Sequence, residues 1–217
     1  MDRYGFYIRC TVGSATSLTW LARLMRSRSL AAEWEQTLNP ATAIYKSPLD
    51  SIDLFVLLDL LGEVNPQVPS YFKTTHWAYE KMADAETRLR RLGLLKSSPN
   101  HPLKRSASEQ ARAEPKFLPE AGKTDRDRWL GGYIEDDHIP FQQKGVEILH
   151  MIAHPFPDAW HKSTDDGEHL DIDTVEDWAK LLSAFTAEWL DLDAFMGKES
   201  DVARDSGHGN EHVRDEL

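Results

Sequence analysis

Residues 52–61 read IDLFVLLDLL, with Pro48 ahead of them and Gly62 directly after. A continuous apolar run of this length, punctuated at both ends, predicts a strand buried on both faces. A buried helix fits the periodicity almost as well; the short length and the flanking breakers favour the strand. Such strands belong to parallel or mixed sheets covered by helices. Asp59 then lies near the C-terminal end of a core strand, where open α/β sheets place their ligands.

Working outward, Val146–Ile152 is a second apolar run, VEILHMI, entered through Gly145. It predicts another core strand, parallel to the first and near it. A short strand over Tyr4–Val12 and a brief extended piece over Ala43–Tyr45 complete the β-prediction. Helical spacing of Leu18, Leu21, Met25 and Leu30 predicts a helix from Ser17 to about Thr37, stopped by Asn39-Pro40. Trp77, Met82, Ala85, Leu89 and Leu92 predict a helix over 75–92, capped by Thr74 or Thr75 and ended by Gly93. Trp178, Leu181, Leu182, Phe185, Trp189 and Leu192 predict one over 174–194, with Asp173 or Thr174 as cap and Asp177 near its third position. Residues 96–131 are rich in Ser, Pro, Lys, Arg and Glu and read as a flexible insertion. The expected class is α/β.

The 217 residues carry a formal net charge of -11. An acidic surface repels phosphate backbones, which argues against a nucleic-acid partner. No apolar run approaches the roughly 18 residues of a membrane span. Cys10 is the single cysteine, which excludes an intramolecular disulfide and a cysteine-based metal cluster. The first residues lack a clean apolar core and do not read as a signal peptide.

The residues able to carry chemistry are Asp59, Asp136, Asp137, His138, His150, His154, Trp160 and His161. A carboxylate or imidazole in an apolar strand is costly unless paired, neutralised or metal-bound. Acids with imidazoles suggest hydrolysis or acyl transfer. The plainer reading makes Asp59 a strand-end acid taking loop N–H groups, Asp136 and Asp137 loop caps, His150 a satisfied core histidine and His161 a solvated loop residue. No HExxH, P-loop, GxGxxG or GxSxG pattern is present.

Four longer segments carry a resemblance: SRSLAAEW at 27–34, LFVLLDLLGEVNP at 54–66, IEDDHIPFQQKGVEILHMI at 134–152, and PFPDAWHKSTDDGEHLD at 155–171. They resemble, in order, the zinc-dependent glutaminyl-peptide cyclotransferases, which share the fold of the M28 aminopeptidases. The resemblance implies a mostly parallel sheet covered by helices, incomplete at the N-terminus. It implies acyl transfer that turns an N-terminal glutamine into pyroglutamate and releases ammonia, acting on peptides or proteins with N-terminal glutamine. An M28 aminopeptidase or a non-catalytic peptide-binding domain is the alternative.

By position, His161 resembles the zinc-binding histidine of the family, which holds one zinc ion. Asp59 resembles a buried aspartate that orients the reacting groups, and Asp136 its hydrogen-bonding partner. His150 is similar to a pocket histidine supporting that network, and Trp160 to an indole that walls the substrate pocket. Asp137, Asp165 and Asp166 are assigned to loop capping. The matching part spans 27–196; residues 1–26 do not match, and 197–217 form a polar tail. The family's other zinc ligands and its catalytic glutamate have no counterpart before Ser27. The expectation is therefore a chain holding the C-terminal half to two-thirds of the domain, with weak or absent zinc binding and no cyclisation on its own. The final HVRDEL resembles a luminal retention signal, which with the family implies the secretory pathway for the full-length parent.

Overall fold

The computed structural model describes residues 6–10, 17–131 and 134–192, with side chains from Leu24 onward. The final HVRDEL and the polar tail lie outside them. Three strands, β1 (Phe6–Cys10), β2 (Leu54–Asp59) and β3 (Ile148–Ile152), form a sheet in the order β1-β2-β3. Both pairings are parallel. The two apolar runs thus become adjacent parallel strands. Each has its apolar residues fully buried, since helices cover the sheet on both sides.

Strand alternation divides the core. Leu54, Val56, Leu58, Leu149 and Met151 face one way, and pack with Met82 and Ala85 of α2 (His76–Arg91) and with Trp178, Leu181 and Phe185 of α4 (Ile172–Trp189). Phe55, Leu57 and Ile148 face the other way. They meet Ala31 of α1 (Ser17–Gln36) and Phe141 of the four-residue α3 (Ile139–Gln142). The result is a three-layer α/β/α arrangement.

Several local expectations are corrected. The inward face of α1 runs through Leu24, Ser27 and Ala31, whereas Met25 is 61% exposed. The observed residues follow the i, i+3, i+7 spacing that a single helix face requires. The side chains of Leu18 and Leu21 lie outside the described residues. Residues 43–45 form bends within a turn, not an extended piece. Trp77 on α2 and Leu92 just beyond it are exposed, as is Leu192 beyond α4. Thr75 occupies the N-cap position of α2 but makes no capping bond; its hydroxyl donates to the Ile148 carbonyl at 2.6 Å. Gly93 ends α2 with φ +67, a conformation that costs glycine little.

The cap of α4 is Asp171, which accepts the Thr174 N–H at 2.8 Å. Asp173 pairs with the Lys104 ammonium at 3.1 Å, and Asp177 has another task. Its buried carboxylate accepts the N–H groups of Lys96 and Ser97 at 2.8 and 2.7 Å and the Lys180 ammonium at 3.1 Å. It therefore fixes the start of the 96–131 segment to α4. Asp177→Ala is expected to lower unfolding free energy by about 2–3 kcal/mol, the loss of charge-assisted bonds to buried donors. Urea titration of the variant beside the wild type measures it.

The 96–131 segment contains no helix or strand. Even so, Phe117 and Leu118 are buried in the core of the α2/α4 face, and Gln67 Nε2 donates to the Lys116 carbonyl. Ser70 N donates to Glu120 at 2.8 Å, and Lys123 donates to the Ser70 carbonyl at 3.0 Å.

Candidate functional site

The C-terminal ends of β2 and β3 position the site. Leu57 stands beside His150, and Asp59 beside Ile152. Neighbours in register share a face. His150 and Asp59 therefore belong to the α1/α3 side of the sheet, with Asp59 at the strand end. Leu60, which follows, has φ 54, and His161 has φ 59. For non-glycine residues this left-handed backbone costs roughly 1 kcal/mol or more each.

The segment 136–138 crosses this face and runs into α3. Asp136 is held at both oxygens. Its Oδ1 accepts the Asp137 N–H at 2.7 Å, and its Oδ2 lies 3.1 Å from His150 Nε2. Burial pushes the Asp136 carboxyl up. The bond to His150, the charge of that ring and the Asp137 N–H more than offset this, so the group lies below the usual carboxylate range. An ionised carboxylate only accepts hydrogen bonds, so His150 Nε2 carries the proton.

Two aromatic rings lie against His150: Tyr71 at 5.6 Å and His138 at 4.5 Å between centroids. The Tyr71 hydroxyl donates to the Ile152 carbonyl at 3.1 Å. His138 is fully buried, with the edge of Phe72 at 5.7 Å. Neither of its ring nitrogens has a hydrogen-bond partner among the described residues. Burial, reinforced by the nearby His150, pushes its pKa down to about 3, against a smaller opposing pull from Asp136. The ring is therefore neutral at all ordinary pH. From α1, the buried Ser27 hydroxyl donates to the Asp137 carbonyl.

Trp160 and His161 stand in the loop that leaves β3. Their rings stack at 3.8 Å, and Phe156 meets Trp160 edge-on at 4.7 Å. Trp160 is 38% exposed, and His161 is also exposed. His154 is an exposed residue with Phe156 at 6.5 Å. Asp166 caps a short 3-10 turn through the N–H groups of Glu168 and His169.

The structure thus joins Asp136 to His150 and Trp160 to His161, with Asp59 at the same end of the sheet. Ser27, Tyr71 and Phe72 were not marked as site residues by sequence. Ser27 sits within the SRSLAAEW segment, which is the one signal that could have drawn notice to it. Among the described residues, no group of three or more His, Cys, Asp or Glu side chains could hold a metal ion. These residues do not fit a bound zinc, which needs three or four protein ligands. No described helix is long and apolar enough to cross a membrane.

Comparison with known proteins agrees with this architecture. Glutaminyl-peptide cyclotransferase from Bos taurus is 37% identical over 169 residues, 78% of this chain and 41% of the relative. The Drosophila melanogaster protein of the same name is 34% identical over 166 residues, 76% of this chain and 40% of the relative. The chain therefore spans about 40% of the length of these curated relatives. The solved structure of Macrostomum lignano glutaminyl cyclase superposes with a TM-score of 0.57 at 30% identity, covering 76% of this chain and 47% of that one. The profile of Peptidase family M28 matches residues 30–186. With most of the chain matched, and the parallel sheet and its helices in place, the protein belongs to peptidase family M28.

Proposed function

We propose that this chain supplies the aspartate–histidine part of a glutaminyl-peptide cyclotransferase site. The observation that carries the reading is the ionised Asp136 bonded to His150 of β3, with a second carboxylate, Asp59, at the end of the neighbouring β2 on the same face. The reaction joins the α-amino nitrogen of an N-terminal glutamine to its γ-carbonyl carbon and breaks the bond to the amide nitrogen, which leaves as ammonia. One proton moves from the amine to the leaving nitrogen, so the step needs no co-reactant.

In this reading Asp136 and Asp59 orient the α-amine and stabilise the positive charge that develops on it. His150 holds Asp136 in place through Nε2–H. Trp160 walls the pocket for the glutamine side chain. His161 is the one residue carried over as a zinc ligand, and zinc retention by it alone is weak. Peptides or proteins with N-terminal glutamine are the proposed partners, and the secretory pathway the proposed setting.

The test uses the 217-residue chain. Calorimetry with zinc is expected to reveal no submicromolar site. Glutaminyl-naphthylamide is expected to move the ¹⁵N signals of the His150 ring, and leucyl-naphthylamide to leave them in place. Hydrolysis of the leucyl compound would replace this reading with an aminopeptidase. No response of His150 to the glutaminyl compound would overturn it in favour of a domain without this site. Submicromolar zinc with cyclisation would uphold the reaction and overturn the weak-metal part.

A further inference from the structure

Three hydrogen bonds run in series from α1 to the strand. Ser27 Oγ–H donates to the carbonyl of Asp137. The Asp137 N–H donates to Asp136 Oδ1 at 2.7 Å. Asp136 Oδ2 receives His150 Nε2 at 3.1 Å. Ser27 is fully buried and lies 110 residues before Asp137 in sequence. The two backbone polar groups of one residue, Asp137, thus meet two different partners, its carbonyl a helix hydroxyl and its N–H a carboxylate.

The His138 ring also packs against His150 and Phe72. Residues 136–138 precede a helix of four residues, too short to impose its own orientation. Ile139 N donates to the Asp136 carbonyl at 3.1 Å, which shapes the turn but does not tie it to the rest of the fold. Anchorage to α1 comes through Ser27. Phe141 adds apolar contact with Trp34 and Phe55 one turn further on. A buried carbonyl deprived of its donor is unfavourable, so removing the hydroxyl frees the segment to shift in search of another.

We propose that Ser27 is a positioning residue: its hydroxyl fixes the Asp137 backbone through its carbonyl, so that the Asp137 N–H holds the Asp136 carboxylate against His150 Nε2. The serine touches none of the reacting groups and acts through the backbone of Asp137. It lies outside the residues 30–186 matched by the family profile. The inference rests on Asp136 and His150 being the working pair. Its test reads ring geometry without turnover, so its failure leaves the proposed reaction standing.

The experiment is ¹⁵N spectroscopy of histidine rings in the whole chain, at mildly alkaline pH. In the wild type, His150 is expected in a single tautomer with Nε2 protonated, giving widely separated Nδ1 and Nε2 signals. In Ser27→Ala the pair loosens, both tautomers are populated, and the separation narrows. His169, whose exposed ring pairs with Asp166 at 2.7 Å, should be unmoved in the same spectra. This separates a local effect from general loss of structure. Should the alanine variant not fold, Ser27→Cys keeps the volume and offers only a weak donor; a narrowed separation there supports the proposal. His150 signals identical to the wild type, in Ser27→Ala or, where that variant does not fold, in Ser27→Cys, would overturn it.

Discussion

Replacing Glu86 by alanine is expected to lower unfolding free energy by about 3–5 kcal/mol, the usual penalty for stripping one partner from a buried ion pair. Glu86 is 1% exposed. Its Oε1 accepts Arg90 Nε at 2.7 Å and the Phe117 N–H at 2.7 Å. Its Oε2 accepts the Leu118 N–H at 3.0 Å. One carboxylate therefore neutralises a buried guanidinium and satisfies two backbone donors of a segment with no regular structure. Arg90 also lies over the Phe117 ring at 4.7 Å, and Glu114 reaches it at 3.4 Å. That second acid is too distant and too exposed to replace the first.

Three further variants, Glu86→Gln, Arg90→Ala and the double alanine variant, locate the origin of the loss. Glu86→Gln keeps an acceptor for the backbone and removes the charge, so its cost should be intermediate. Glu86→Ala combined with Arg90→Ala should cost less than the sum of the single variants, because the stranded guanidinium goes with its partner. Urea unfolding monitored by tryptophan fluorescence gives all four values. A loss below about 1 kcal/mol for Glu86→Ala, the scale of an exposed pair, would show that this network does not hold the 96–131 segment.

The second large effect concerns pH. His138 is fully buried and its pKa is pushed down to about 3, whereas an unfolded imidazole titrates near 6.5. On acidification the unfolded chain takes a proton at this residue and the folded chain does not. The stability that depends on a neutral His138 is complete above about pH 6.5 and is lost as pH falls toward about 3. Between pH 7 and pH 4.5 the expected loss is roughly 2–3 kcal/mol from this ring. Asp136, held below the usual carboxylate range, loses its contribution at lower pH and adds little within this window. His138→Phe should flatten the dependence between pH 7 and pH 4.5. It should also stabilise the fold at both values, since two buried polar atoms without partners are removed. Parallel urea midpoints for wild type and variant across that interval would refute this account.

What the amino-acid sequence determined by itself was local. The run at 52–61 and the one at 146–152 could not be solvated, and their length and punctuation made them strands. The apolar spacing of 75–92 and 174–194 likewise made helices, because burial of one face imposes a period the reader can see. The long segments around Asp59, Asp136, His150, Trp160 and His161 pointed to a family, and the chain belongs to M28. The tertiary structure decided which polar group meets which. Asp177 had the position of a cap residue, yet it serves Lys96 and Ser97 across the fold. Met25 had the look of a core residue, yet Ser27 took the inward place and with it the carbonyl of Asp137. Phe117 and Leu118 sat in a polar stretch with no period, and became core through the carboxylate of Glu86. Each of these rests on one or two hydrogen bonds formed between segments some 30 to 110 residues apart. Such a contact leaves no periodic trace in either segment, because it depends on how the helices lie across the sheet and not on what their neighbours in sequence prefer.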